Sequence, residues 1–228
     1  MTLAQRGRRV TLVGLALLAG VYVRALVYTP VELHQGPAQK IFYVHVPAAW
    51  SAMLAMGLVG LTSILYLLVK DPRYDRFAAA SAEVGTAFSL VMLTTGPIWA
   101  KPIWGTWWTW DARLTLTLFL FFIFLGYLLL RGAVGEAGLR ARYSAVLGIC
   151  GLVLLPFIHL SVYLFRTLHP QPIVLKPSAP SLPGSMLATL LFSFGVFTLL
   201  YVGFVMQRYA IGEGGGSEEG WGRDAGHA

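Results

Sequence analysis

Charge is what this sequence has least of. Only 12% of its 228 residues are Asp, Glu, Lys or Arg, while 57% are hydrophobic. A soluble domain of this length needs far more charge to cover its surface, so a water-soluble globule is excluded and a membrane protein is indicated. Cysteine is nearly absent as well. The one residue, Cys150, lies inside an apolar run, which rules out an internal disulfide, a four-cysteine metal cluster and the C-x-x-C-H attachment of c-type haem. Any cofactor must be held without a thioether bond to this chain. No carboxylate or cysteine accompanies a histidine at metal-cluster spacing, which speaks against a zinc site.

What the sequence does have is long apolar runs. A spanning helix needs roughly 20 apolar residues, and six segments qualify: about Val10–Tyr28, Val44–Val69, Phe77–Trp99, Leu114–Leu130, Tyr143–Leu164 and Leu187–Met206. The expected fold is therefore all-α, a polytopic membrane protein with six transmembrane helices. The arginines ahead of the first run imitate a signal peptide, but the run reaches Tyr28 without a convincing cleavage site, so a retained helix is expected. One six-helix domain over residues 1–210 is followed by a flexible tail, 211–228, rich in glycine and charge and without an apolar period.

The net charge of +7 would point to nucleic acid in a soluble protein. Here the basic residues sit in the connections and set orientation instead. Eleven of them (Arg6, Arg8, Arg9, Lys70, Arg73, Arg76, Arg131, Arg140, Arg142, Arg208 and Arg223) fall on the side of the termini. Five (Lys40, Lys101, Arg113, Arg166 and Lys176) fall on the other, and Arg24 lies within the first helix. The positive-inside rule then places both termini in the cytoplasm, with connections one, three and five outward. Partners are expected in the bilayer, not among nucleic acids.

The unusual residues gather on that outer side. Connection three and its approach hold Trp99, Trp104, Trp107, Trp108 and Trp110, ending on Asp111 and Arg113. An interfacial aromatic belt is the plain reading, since Trp and Tyr favour the headgroup region. A belt should mark both interfaces, yet with Trp50 six of the seven tryptophans lie on or near this side. As a helix the segment would align Trp104, Trp107, Trp108 and Asp111; as a strand, Trp104, Trp108 and Trp110. Either arrangement offers an apolar face suited to a planar aromatic ligand with ionised substituents. Asp111 and Arg113 would by default cap and pair at the start of the fourth helix, though a guanidinium also suits a ligand carboxylate. His45 and His169 flank helix ends on the same side, and His159 lies ten residues before His169, beyond Pro156, which is expected to bend its helix. Two imidazoles beside an aromatic platform fit the axial positions of a haem iron. Charge inside apolar segments, at Glu83 and Arg24, needs partners that spacing does not reveal.

The run Trp104–Thr115 resembles the tryptophan-rich, aspartate-terminated "WWD" motif of the haem-handling proteins of cytochrome c maturation, and the whole chain resembles their six-helix branch, the CcmC family. Tyr43-Val44-His45-Val46-Pro47-Ala48-Ala49-Trp50 looks like that family's first histidine motif. Ile158-His159-Leu160-Ser161-Val162, followed by Thr167-Leu168-His169, looks like its second. Similarity runs over about residues 25–205. One departure lies between the histidines of the second motif, where relatives carry bulky tryptophans and this chain has Tyr163, Leu164, Phe165 and Arg166.

The resemblance implies a non-covalent haem b site on the outer face of a bacterial inner membrane. His45 and His169 are implied as axial ligands, with His159 as the alternative, and Trp104, Trp107, Trp108, Trp110, Asp111 and Arg113 as the rest of the site. It implies a haem chaperone, CcmE, as the recipient, and CcmD and the ABC-type subunits CcmA and CcmB as further partners. Such a protein contributes positioning and needs no nucleophile or general base. Two other classes remain: a b-type electron-transfer subunit, which favours histidine pairs buried on facing helices, and a permease subunit, which needs a polar path at the midplane.

Overall fold

The computed structural model describes residues 1–174, 176 and 178–224, with side chains described through Gly212. Helix α1 (Leu3–Val23) begins ahead of the apolar run because Thr2 and Gln5 close a capping box. The Thr2 hydroxyl accepts the Gln5 N–H at 3.2 Å, and the Gln5 carboxamide accepts the Thr2 N–H at 3.0 Å. A π-turn, Arg24–Tyr28, completes that span. A 3-10 turn, Pro37–Ile41, leads into α2 (Phe42–Val69), followed by α3 (Pro72–Trp104), α4 (Ala112–Ala133), α5 (Ala137–Leu164) and α6 (Gly184–Asp224). All six spans are long and apolar enough to cross a membrane. The chain is thus an all-α, multi-pass membrane protein. The expected tail over 211–228 falls mostly on side chains, and for 225–228 on residues, outside those described.

The helices run further than the apolar runs indicate, and α3 does so at both ends. Asp71 caps α3 and Pro72 takes its first position, where the missing N–H costs nothing. The helix then continues through Pro97 and Pro102 to Trp104, so Trp104 belongs to α3 and not to the connection. Prolines are tolerated in membrane helices when other groups and local adjustments satisfy the freed backbone. In the turn before Pro97 the Thr94 and Thr95 hydroxyls bond back to the Leu90 and Val91 carbonyls at 2.8 and 2.6 Å, a back-bonding that eases local bending of a helix. Gly105 ends α3 with φ +74°, its N–H reaching the Lys101 carbonyl at 3.0 Å, a left-handed cap that glycine adopts without steric cost. Helix α5 likewise passes Pro156 as one uninterrupted α-helix to Leu164.

Helix α2 occupies the middle of the bundle, against α3, α5 and α6, while α1 packs along α6 and α4 along α5. Lipid tails are as apolar as leucine, so close backbone approach has to supply the attraction between helices. Gly60 of α2 lies so near α5 that an added Cβ would fall 2.3 Å from Leu152 Cβ. Charges within the spans find partners. Arg131 of α4 grips Asp75 of α3 with two bonds, 2.5 and 2.9 Å; Arg208 of α6 pairs with Glu83 of α3. Arg24 donates from Nε to Thr189 Oγ1 on α6 at 3.0 Å.

Successive helices alternate in direction. The connections around 29–36, 105–111 and 165–183 therefore collect at one end of the bundle, and the chain termini and the two short connections at the other.

Candidate functional site

The first of these three connections is tied to the tryptophan-bearing helix. Gln35 accepts the indole N–H of Trp99 at 3.2 Å. The last folds back over the same end. The Ser181 N–H meets the Ile173 carbonyl at 2.9 Å, and Ile173, Val174 and Leu182 pack with Phe42, Tyr43 and Trp99.

His45 stands in the first turn of α2, half-buried. Its ring lies edge-on to Trp99, centroids 5.8 Å apart at 65°, and its Nδ1 is 3.1 Å from Thr95 Oγ1. His169, half-buried in connection five, has Nδ1 2.9 Å from the Pro170 carbonyl. A carbonyl only accepts, so Nδ1 of His169 carries the proton and Nε2 holds the lone pair. Desolvation, then the nearby Arg113 guanidinium, pushes its pKa down to about 4, with smaller opposing contributions from Pro170 and Asp111. The ring is therefore neutral at physiological pH, the form that binds a metal. His45 lies near enough to His169 to oppose its protonation, and Arg113 bears on both rings.

Asp111 joins connection three to connection five. Its carboxylate caps α4 through the Leu114 N–H (3.0 Å) and accepts the Thr109 hydroxyl (3.0 Å). The Thr167 hydroxyl and the Leu168 N–H are turned toward it as well. Burial alone would raise its pKa, but these donors outweigh burial and hold the group below the usual carboxylate range. Thr167 in turn accepts the backbone N–H of His169 at 3.1 Å. A short chain thus links the carboxylate at the helix cap to the histidine.

Arg113 does not form the expected close ion pair with Asp111. It reaches across to the Ile158 carbonyl of α5 at 3.2 Å, and among the described residues no carboxylate lies within salt-bridge distance of it. The result is a half-buried guanidinium whose charge reaches both imidazoles, a set of groups suited to a ligand with carboxylate substituents.

Beyond Trp104, the last residue of α3, the tryptophan segment is neither helix nor strand, so neither alignment expected from spacing applies. Gly105 turns the chain out of α3 and Asp111 turns it into α4. Between them Trp108 and Trp110 meet edge to face, 5.8 Å apart at 76°, which makes a corner and not one flat sheet. Trp107 and Trp110 are 57% and 76% exposed. The indole N–H of Trp108 is buried without an acceptor among the described residues, although a buried donor ordinarily has one. An acidic or carbonyl oxygen from a ligand would satisfy it. His159 is exposed on α5 with its ring tilted against Tyr163, 6.2 Å away, and His34 is exposed in connection one.

Sequence reading singled out the histidines, the tryptophans, Asp111 and Arg113, and the structure brings His45, His169, Asp111 and Arg113 to one place. It missed Thr95, Gln35 and Thr167. Thr167 had a local signal, a threonine two residues before a histidine, where its hydroxyl can take the backbone N–H. Thr95 and Gln35 had none, because helix packing alone brings them to His45 and Trp99.

The chain matches a family model described as CcmC, heme exporter protein C, over residues 2–212. It is 41% identical to heme exporter protein C of Bradyrhizobium diazoefficiens over 82% of this chain and 70% of that one. It is 37% identical to the protein of that name from Haemophilus influenzae over 86% and 80%. It is 39% identical over 75% and 72% to a Marchantia polymorpha protein described as a cytochrome c biosynthesis ccmC-like mitochondrial protein. The match spans all six helices, both histidine motifs and the tryptophan segment: the chain belongs to the CcmC family.

Proposed function

We propose that this protein binds haem b non-covalently at the end of the bundle formed by connections one, three and five, on the outer face of a bacterial inner membrane, and presents it for transfer during cytochrome c maturation. The observation that carries the reading is the meeting of His45, Arg113 and His169, from α2, α4 and connection five, with an imidazole nitrogen free for iron and a cation free for a propionate. His45 and His169 supply the axial nitrogens. Arg113 pairs a propionate, the Trp108 N–H takes an acidic oxygen, and the exposed Trp107 and Trp110 cover the porphyrin edge while leaving it accessible. The recipient is the haem chaperone CcmE, and the ABC-type CcmA and CcmB subunits with CcmD complete the assembly.

Presentation requires release as well as binding. His45 is fixed on a helix between α3 side chains, whereas His169 sits in a long connection held by its neighbour's carbonyl and by Thr167. Ligands on separate elements can let go one at a time. The experiment is co-expression with the chaperone, followed by haem staining of the denatured chaperone. His45→Ala and His169→Ala should abolish loading, while His159→Ala and His34→Ala should leave it. Changing Trp107, Trp108 and Asp111 together should abolish loading even where some haem stays bound. Normal loading in that triple variant would reduce the segment to an interfacial anchor and refute the reading.

A further inference from the structure

We propose that Thr95 and Gly96 of α3 are the positioning element for His45: the hydroxyl takes the ring's Nδ1–H, the glycine leaves room for the ring, and Nε2 alone is presented as ligand. The proposal deepens the haem-binding reading above and rests on it.

The tautomer follows from counting protons. A threonine hydroxyl has one. That of Thr95 points to the Val91 carbonyl at 2.6 Å, with Met92 more distant at 3.4 Å. Toward His45 Nδ1, 3.1 Å away, the oxygen therefore offers a lone pair, and the ring must supply the hydrogen. A neutral imidazole has only one N–H, so Nε2 carries the lone pair. Were the hydroxyl instead to turn to a bare Nδ1, it would exchange the Val91 bond for that one, and the pair would make one hydrogen bond where the Nδ1–H tautomer makes two.

The ring's orientation follows from shape. A Cβ on Gly96 would stand 3.1 Å from His45 Cε1, tighter than most such contacts, with Nδ1 at an ordinary 3.6 Å. The ring thus lies directly on the α3 backbone at this residue. Trp99, four residues after Thr95 and on the same helix face, closes the ring from another side at 5.8 Å. Three residues of one α3 turn therefore set the position, tilt and protonation of a histidine fifty residues earlier. His169 is served by a backbone carbonyl instead, so Thr95 is the side chain through which the strength of one axial bond can be altered by mutation. Hydrogen bonding at Nδ1 makes the imidazole more basic, and loss of such a partner typically weakens metal binding by about 10–100-fold.

The test uses the full chain purified in detergent and titrated with ferric haem. It compares Thr95→Val, Thr95→Ser and Gly96→Ala, each alone and with His169→Ala, where reduced haem is held by His45 only and the iron–histidine stretch is read by resonance Raman. Thr95→Val should bind haem about 10–100-fold more weakly and lower the stretching frequency, and Thr95→Ser should restore both. Gly96→Ala, with the hydroxyl intact, should also weaken binding by displacing the ring. Parental affinity and frequency in Thr95→Val overturn the proposal, as does a Thr95→Ser protein equally impaired. If Thr95→Val does not accumulate folded, Gly96→Ala decides: unchanged affinity and frequency overturn the role. His45→Ala separates the two levels. Parental haem binding in that variant refutes the ligand reading and this proposal with it, whereas loss there with silent Thr95 and Gly96 variants refutes this proposal alone.

Discussion

Replacing Asp111 by Asn should loosen the histidine of connection five while leaving α4 capped, and replacing it by Ala should do both kinds of damage. Asn is as good an N-cap as Asp, and losing the cap altogether costs about 1 kcal/mol. The Leu114 bond at 3.0 Å therefore survives in Asp111→Asn. What that variant loses is charge. Hydrogen bonds to an ionised group contribute roughly 1.5–3 kcal/mol, against roughly 0.5–1.5 for neutral pairs, so weakening the hold on Thr167 and Leu168 costs about 1 kcal/mol. Thr167 in turn holds the His169 N–H, so this loss falls on the ordering of an axial ligand. It corresponds to about fivefold weaker haem binding, with a larger high-spin fraction in the absorption spectrum as His169 disengages. Asp111→Ala should add a fall in thermal stability through the missing cap. The measurements are a ferric haem titration and a thermal melt of the apoprotein, both in detergent. Parental affinity and spectrum in Asp111→Asn would refute the link from carboxylate through Thr167 to His169. An Asp111→Asn melt as low as that of Asp111→Ala would refute the division between cap and charge.

The orientation of the chain is open to direct labelling. In a Cys150→Ala background, Leu33→Cys (95% exposed in connection one) should react with an impermeant thiol reagent added to intact cells, and Gly135→Cys in the fourth connection should not; the reverse pattern would overturn the outward placement. Gly105 is unsuitable for this purpose because its φ of +74° strains any side chain. The Asp75–Arg131 pair, with each side chain 17% exposed, should behave as a buried ion pair. Removing either partner alone should cost about 3–5 kcal/mol, and replacing both with apolar residues of similar volume far less, as read from thermal unfolding of the single and double variants.

The six helices were legible in the sequence because a bilayer demands long uncharged runs, and composition alone reveals those. The cap at Asp111 was legible for a similar reason: capping is a local chemistry between residues three apart. The histidine and tryptophan motifs could be found because they are dense and their residue types are rare. Helix ends were misread where local rules mislead. The expected runs passed Pro97 and Pro156, and the fifth ended correctly at Leu164; α3 was stopped at Trp99, short of Pro102, which argues for a break in water but which the helix passes within the bundle. The tryptophan segment could not be solved by periodicity, since Gly105 and Asp111 bend it out of both repeating conformations. Only tertiary packing decided the rest. Arg24 could have met any polar group at its depth, and α6 brought Thr189; Glu83 received Arg208 the same way. Arg113 was free to pair with Asp111 two residues away, yet Asp111 is taken up by the cap and connection five, and Arg113 extends to α5. Thr95 carries no signal in the chain at all. Its role exists because α2 and α3 pack closely enough for one hydroxyl to reach one imidazole, and a sequence records the residues on each helix but not which of them meet.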